Sequence, residues 1–141
     1  MKKLFYLLPL LIFVAGCVKT DIGQQPTPLV PYGTFTGKFT RTYVPTGTNS
    51  KATATTNIKL IMTTSGFSVI SDAEAVHANS TGEFLGNELS IEFGDTTYPA
   101  AGPANGKSYL HGTYSYAYDG SSFRLSRQSG DDNYDYQLVK N

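Results

Sequence analysis

The chain has 141 residues and a formal net charge of zero, because 11 Lys and Arg balance 11 Asp and Glu. This length fits one domain, and the charge balance argues against a nucleic-acid partner, which requires a basic surface. The single Cys excludes an internal disulfide, and with two His it leaves few ligands for a transition metal. The 14 Gly and the 13% of aromatic residues are typical of a protein built from strands and turns.

The first seventeen residues have the pattern of an export signal. Lys2 and Lys3 precede an apolar run of 12 residues, 4–15, which is interrupted only by Pro9. A membrane-spanning helix needs about 20 apolar residues, so this run is too short to span and instead has the length of a signal-peptide core. Small residues then lead to the only cysteine, in the order Val14-Ala15-Gly16-Cys17.

The segment Val14-Ala15-Gly16-Cys17 resembles a lipobox, the processing site of bacterial lipoproteins. The resemblance implies that residues 1–16 are a signal peptide, and that Cys17 carries fatty acyl chains such as palmitate. Two or three chains hold a protein stably in a bilayer, whereas one chain gives only marginal binding. We therefore expect a protein of the bacterial cell envelope whose partner is membrane lipid, bound through acylated Cys17. A plain secretory signal followed by a free thiol is the alternative.

Residues 17–32 form the predicted lipidated N-terminus and tether. The segment contains Pro26, Pro28 and Pro31 and has no sustained periodicity. Pro-rich segments favour an extended conformation of about 3.1 Å per residue, so this one is suited to lifting a folded domain off the lipid. Val18, rather than Asp, follows Cys17. By the sorting rule of enteric lipoproteins, this favours the outer membrane.

Residues 33–141 form the predicted folded domain, which we interpret as all-β. In the first segment, Phe35, Gly37 and Phe39 alternate with Thr and Lys, and this period of two indicates a strand. Short segments of similar character continue to the end of the chain, separated by Gly, Asn and Asp. The predicted strands are 33–44, 52–64, 67–71, 83–85, 88–93, 109–118, 122–128 and 134–140.

Two segments are less regular. Residues 71–79 contain Ser71 and Glu74 at the spacing of a helix capping box, but the segment is short, so we predict a loop or an irregular strand. Residues 94–107 contain two Pro and three Gly, which predicts a surface loop. In the predicted hairpin between them, Leu89, Ile91 and Phe93 share the face that we expect to be buried.

No predicted helix is long enough for a parallel crossover, so the sheet is expected to be an antiparallel up-and-down meander of about eight strands. An open meander leaves two exposed edges, and closing the sheet into a barrel removes them. A two-sheet β-sandwich is the alternative.

The domain resembles the small lipocalin-like (calycin-type) domains of bacterial lipoproteins. The features that carry the resemblance are Gly33-Thr34-Phe35, Gly112-Thr113-Tyr114-Ser115-Tyr116, Asp119-Gly120, Phe123-Arg124-Leu125 and Tyr134-Asp135-Tyr136-Gln137-Leu138. In lipocalins a Trp usually stands at the position of Phe35, and this chain has no Trp. The resemblance implies a barrel with its ligand in or on it.

Catalytic and metal-binding patterns are weak. No Gly-x-Ser-x-Gly, His-Glu-x-x-His or P-loop motif occurs, and no spacing selects a pair among Glu83, Glu88, Glu92 and Asp95. His77 and Glu74 provide only two metal ligands, and the acidic turn at 131–135 lacks the Gly and Glu of a calcium loop. His111 fits a surface or hydrogen-bonded role. We therefore expect a protein that is not an enzyme and has no cofactor and no metal.

Aromatic side chains on the inner faces of the predicted strands are the candidate ligand contacts, because Tyr offers an apolar ring with a polar tip. They are Phe35, Phe39, Tyr114, Tyr116, Tyr134 and Tyr136. The structural alternative is that these rings fill a small barrel. The sequence favours an envelope lipoprotein that binds a small hydrophobic ligand or a saccharide. An accessory or inhibitor lipoprotein that presents loop 94–107 to another envelope protein is the second hypothesis, and an unrecognised hydrolase is the third.

Overall fold

The computed structural model describes residues 31–103 and 106–141. The predicted signal peptide (1–16), Cys17 and the tether up to residue 30 lie outside the described residues. The eight strands are β1 (Gly33–Tyr43), β2 (Ala52–Thr63), β3 (Gly66–Ser71), β4 (Ser80–Gly86), β5 (Ser90–Asp95), β6 (Gly112–Tyr118), β7 (Ser122–Ser129) and β8 (Asp132–Lys140).

The strands form one closed antiparallel barrel in which each strand pairs with its neighbours in the chain. The barrel closes where β1 pairs with β8, in a register that places Phe35 opposite Lys140 and Phe39 opposite Tyr136. This confirms the predicted all-β meander and its closure, and it rules out the two-sheet sandwich. Closure leaves no free edge along the seam, so the backbone groups of both terminal strands are paired.

Alternation of side chains produces the core. Along β2, for example, Thr56, Ile58, Leu60 and Met62 are buried, while the residues between them face outward. The same period of two runs through β5, where Ile91 and Phe93 point inward. Because the inner faces of all eight strands converge, their apolar side chains make one continuous core inside the barrel.

The barrel has two ends, which matter for function. The entry end holds the start of β1, the turns at 64–65, 87–89 and 119–121, and the last residues of β8. The far end holds the connections 44–51, 72–79, 96–111 and 130–131. The described chain therefore begins at the entry end with Pro31 and Tyr32, and the three longest connections, 44–51, 72–79 and 96–111, lie at the far end.

The connections 72–79 and 96–111 pair with each other and cover the far end. His77 forms an isolated parallel bridge with Ser108. The Ala78 amide donates to the Ser108 carbonyl at 2.8 Å, and the Ser108 amide donates to the Val76 carbonyl at 2.9 Å. Leu110 from one connection and His77 from the other are fully buried. The segment 71–79 is thus an irregular connection rather than a helix, as predicted.

The structure corrects two local expectations. The turn between β4 and β5 lies at 87–89, and Leu89 is 79% exposed instead of buried. The Asn87 side-chain oxygen accepts the amides of Leu89 and Ser90, both at 2.9 Å, and this turn moves the start of the strand to Ser90. β6 begins at Gly112, three residues later than the predicted start at 109, because Gly112 has a positive φ of 84° that ends the preceding connection.

Gly37 lies where β1 pairs with β8, at a position that has no room for a side chain. A Cβ at Gly37 would lie closer than 3.0 Å to the carbonyl oxygen of Gln137 and to the Leu138 Cα, both backbone atoms of β8. A side chain at position 37 would therefore collide with the backbone of β8. The close approach is backbone to backbone, so rotation of a side chain cannot relieve it.

We predict that Gly37→Ala destabilises the protein by about 1–3 kcal/mol, the usual cost of overpacking a tight site. Gly94→Ala is the matched control, because a Cβ there meets only the Glu83 carbonyl oxygen at an ordinary 3.6 Å. Urea unfolding followed by circular dichroism measures both variants. Equal unfolding midpoints for the two would contradict the assigned role of Gly37.

Candidate functional site

Four of the six predicted ligand contacts lie inside the barrel. Phe35, Phe39, Tyr114 and Tyr136 are each at most 1% exposed. The Phe39 and Tyr136 ring centroids are 4.7 Å apart, and those of Tyr114 and Tyr136 are 5.7 Å apart. These distances are those of packed aromatic pairs. The rings therefore contact one another in the interior, where the predicted ligand would have to compete with them.

The other two predicted contacts lie towards opposite ends. Tyr116 is partly buried near the entry end, where its hydroxyl donates to the Asn87 carbonyl at 2.7 Å. Tyr134 lies near the far end, and its hydroxyl donates to Asp132 at 3.0 Å. Arg41 makes a salt bridge with the same Asp132 carboxylate at 2.7 Å. Burial, with the Asp132 carboxylate as a second cause, raises the pKa of Tyr134 to about 12.

His77 is fully buried, although the sequence pattern around it did not predict an interior position. Its Nδ1 lies 2.7 Å from the Ala78 carbonyl oxygen, and its Nε2 lies 2.9 Å from the Tyr136 hydroxyl. A carbonyl only accepts, so Nδ1 carries the proton and Nε2 accepts from Tyr136. The Phe39 ring packs edge-on against the imidazole with centroids 4.7 Å apart. Glu74, three residues before His77, is exposed and accepts from the Asn79 side chain.

Burial of His77 has an electrostatic consequence. Desolvation lowers the pKa of His77 to about 4, although the Ala78 carbonyl and the Asp95 carboxylate act in the opposite direction. Burial also raises the pKa of Tyr136 well above its usual value. At neutral pH the pair is therefore a neutral imidazole and a neutral phenol, which suits an apolar interior. Neither group is set up for proton transfer near pH 7.

Further polar groups surround the far end. Ser80 begins β4, Asp95 ends β5, and Ser108 bridges to His77. Asp95 Oδ1 accepts from the Thr97 amide at 2.8 Å and from its hydroxyl at 2.6 Å. The hydroxyls of Ser80 and Ser108 and the Asp95 Oδ2 are buried and have no protein partner. Such atoms are the bonding partners of buried water in folded proteins.

A small groove lies at the entry end. It encloses about 180 Å³ and is lined by Pro31, Tyr32, Phe84, Leu85, Gly86, Asn87, Ile91 and Tyr116. The Tyr32 and Phe84 rings pack with centroids 6.1 Å apart, so the Tyr32 side chain, just before β1, reaches β4 at the barrel mouth. The walls of the groove are apolar, and Asn87 and Tyr116 add polar groups at its edge. This composition is typical of a site for a small organic molecule.

Two larger depressions lie on the outer surface, and unlike the entry-end groove they have polar linings. One, of about 410 Å³, is lined largely by Ser and Thr from β2, β3 and β4. The other, of about 440 Å³, is lined by Ser, Thr, Arg127, Gln128 and Asn133. Both are wide and polar, so they offer a small apolar molecule less contact than the entry-end groove does.

The remaining candidates have structural partners. His111 stacks on Tyr98, with ring centroids 4.0 Å apart, in the connection before β6. In the acidic turn, Asp132 binds Arg41 and Asp135 accepts from Gln137 at 2.7 Å. Among residues 31–103 and 106–141, no three His, Cys, Asp or Glu side chains come together as metal ligands.

Comparison with known proteins adds no relative: neither a family model, nor a curated protein, nor a solved structure matches the chain. The closed eight-stranded antiparallel barrel is consistent with a lipocalin-like architecture. In the part of the chain that the structure describes, no helix has the length and apolar character needed to cross a membrane.

The buried imidazole predicts a pH-dependent stability. The pKa of His77 is lowered from 6.5 in the unfolded chain to about 4 in the barrel, so folding favours the neutral form. This contribution is complete above pH 6.5 and is lost as the pH falls towards 4, by roughly 3 kcal/mol in total.

The measurement is urea unfolding at pH 7 and at pH 4.5, with the double variant His77→Leu, Tyr136→Phe as the control. The double variant removes the titrating group together with the hydroxyl that it would leave unpaired. We expect the wild type to lose more stability than the variant between the two pH values. The same loss in both proteins would show that His77 is not the cause.

Proposed function

We propose that this protein is a lipid-anchored, lipocalin-like protein of the bacterial cell envelope that binds a small hydrophobic ligand without catalysis. The observation that carries the proposal is the apolar groove at the entry end, about 180 Å³ in volume. Because aromatic rings occupy the barrel interior, the ligand binds on the end of the barrel rather than deep inside it. Tyr116 is the one predicted ligand contact that lines this groove.

The size and lining of the groove limit its ligand. A cavity of roughly 150 Å³ accommodates a molecule of benzene size, so the groove accepts a short alkyl chain or a single ring. Tyr32 and Phe84 provide aromatic faces, and Asn87 and the Tyr116 hydroxyl provide polar groups at the edge. A saccharide ring is therefore the second ligand class, because aromatic faces and amide groups also bind sugars.

Anchoring is proposed from the sequence. Residues 1–16 supply the signal peptide, Cys17 carries the acyl chains, and Val18 favours the outer membrane. The tether ends at Tyr32, which is itself part of the groove. The proposed ligand site thus lies on the end of the barrel from which the tether leaves, and hydrophobic molecules in the membrane are close to it.

An accessory protein that binds another envelope protein is the second candidate function. The exposed leucines beside the groove, Leu85 and Leu89, favour it, because exposed apolar groups are common in protein interfaces. The predicted contact loop, 94–107, begins with the last two residues of β5, and its other described residues lie in the connection at the far end. A protein partner would therefore bind either the exposed leucines at the entry end or this loop at the far end.

Cys17→Ser tests the anchor. A chain without the acylated thiol lacks the apolar groups that hold it in lipid, so we expect the variant to move from the membrane fraction to the soluble fraction of its host. Immunoblotting of both fractions, with mass spectrometry of the N-terminal peptide, provides the measurement. Membrane retention of the variant would contradict lipidation as the anchor.

Gly86→Leu tests the groove. Gly86 lines it, and a Cβ there meets Ile91 side-chain atoms and the Ser90 carbonyl oxygen at 3.7–3.9 Å, which is ordinary van der Waals contact, so we expect the larger side chain to fit and fill the space. Gly94→Leu is the matched control on the adjacent strand, outside the groove. We expect Gly86→Leu to weaken hexanol binding about tenfold, or about 1.4 kcal/mol, and the control to bind normally.

Chemical shifts of Gly86, Asn87 and Tyr116 in NMR titrations report the binding. Methyl glucoside in place of hexanol separates the saccharide from the hydrophobic ligand. Native mass spectrometry of protein purified from its own host then detects a co-purified molecule. Shifts that are absent with both probes in the wild type would reject the groove as a ligand site.

A further inference from the structure

Exposed apolar side chains concentrate at the entry end of the barrel. Of the large hydrophobic residues that are exposed in the described part of the chain, four lie at this end: Tyr32, Leu85, Leu89 and Val139. Leu85 and Leu89 are the most exposed, at 78% and 79%, and they flank the turn between β4 and β5. Ile70 is the exception, because it lies near the end of β3 that faces the far end.

The turn that carries the two leucines is held in one shape. Asn87 Oδ1 accepts the backbone amides of Leu89 and Ser90 and the Ser90 hydroxyl. The Asn87 carbonyl in turn accepts the Tyr116 hydroxyl at 2.7 Å. Little backbone freedom is therefore lost when this turn contacts another surface, and the leucines are already presented outward.

The tether leaves the barrel beside these leucines. Pro31 and Tyr32 line the same groove as Leu85, and 13 residues separate Cys17 from Pro31. At about 3.1 Å per residue, the rise of a Pro-rich segment, 13 residues span roughly 40 Å. A bilayer that holds the acyl chains of Cys17 is consequently within reach of the entry end, while the far end lies on the opposite side of the barrel.

We propose that the β4–β5 turn, through Leu85 and Leu89, docks on the surface of the lipid bilayer. The proposal rests on the proposed lipid anchoring, because two leucines bind lipid too weakly without a tether that raises their local concentration. The entry end also carries the carboxyl groups of Glu88 and Asp119, and Lys140 contacts the Tyr118 hydroxyl. Among the described residues, this surface has no basic cluster, so it fits zwitterionic lipid and needs no anionic headgroups.

The docked orientation would bring the groove to the lipid surface. Leu85 belongs both to the groove and to the docking turn. A hydrophobic molecule dissolved in the bilayer then reaches Tyr116 without crossing water. The docked turn would thus let the proposed ligand enter the groove from the bilayer instead of from water.

The experiment uses the full chain, acylated by its host and reconstituted in zwitterionic phosphatidylcholine vesicles. Leu89→Cys carries a nitroxide label, and since Cys17 is the only native cysteine and is acylated, the label attaches at one position. Ser50→Cys, exposed in the β1–β2 connection at the far end, is the matched control. We expect the label at position 89 to lie about 5–10 Å below the headgroups and the label at position 50 to stay in water.

The outcomes separate docking from anchoring. Vesicle-bound protein with both labels in water overturns the docking and leaves the anchor intact. Protein that takes up two labels and does not bind vesicles overturns the anchor itself. Burial of the label at position 89 only when other envelope proteins are present overturns the lipid docking and supports the accessory-protein function.

A second pair of variants tests whether Leu85 takes part in the docking that the label at position 89 reports. Leu85→Ser in the Leu89→Cys background is expected to raise the label towards the water, because the remaining leucine of the turn is removed. Ile70→Ser in the same background replaces an exposed apolar residue away from the turn and is expected to leave the label depth unchanged. Equal depths in the two variants would overturn the proposal.

Discussion

The pairing of β1 with β8 is the constraint on which the rest of the structure depends. It joins residues about a hundred positions apart in the chain, such as Phe35 and Lys140, and converts a meander into a closed barrel. A barrel of eight strands has an interior just wide enough for side chains. Once the seam forms, the inner faces must fill that space, and Phe35, Phe39, Tyr114 and Tyr136 do so. The proposed ligand site is therefore at an end of the barrel and not in its interior.

The two ends are closed in different ways, and the difference assigns them different roles. At the far end, two connections pair with each other, and the His77 imidazole reaches Tyr136 in the core. This end is stabilised by hydrogen bonds that depend on a neutral histidine. At the entry end, Pro31 and Tyr32 are the described residues before β1 that lie at the mouth, and they line a groove with apolar walls. The geometry therefore favours the entry end for recognition and the far end for stability.

Much of the fold could be predicted from the sequence because strand faces follow a local rule. The inward positions of Phe35, Phe39, Tyr114 and Tyr136 follow from a period of two, and the number of strands follows from turn residues. The exposure of Leu89 could not be predicted in this way, because it depends on an Asn87 side chain that caps the turn and shifts the strand start by two residues.

The candidate site was less predictable, since it depends on contacts between distant segments. The burial of His77 requires the pairing of two irregular connections, and no local pattern in 71–79 indicates that partner. The groove likewise requires Tyr32 to meet Phe84 across the barrel mouth. Of the six predicted ligand contacts, only Tyr116 lines it, because the sequence shows which face a ring occupies but not how far along the barrel it lies.

The seam also has a consequence for biogenesis. During synthesis β1 emerges before the rest of the barrel, yet its partner β8 is the last strand to be made. Contacts between such distant positions form slowly, and an unpaired strand edge is prone to associate with other chains in the interval. Until Lys140 has arrived, β1 has an open edge opposite the one that β2 covers. Loss of C-terminal residues would thus unpair the start of β1 first, where Phe35 lies opposite Lys140, and leave an exposed strand edge there.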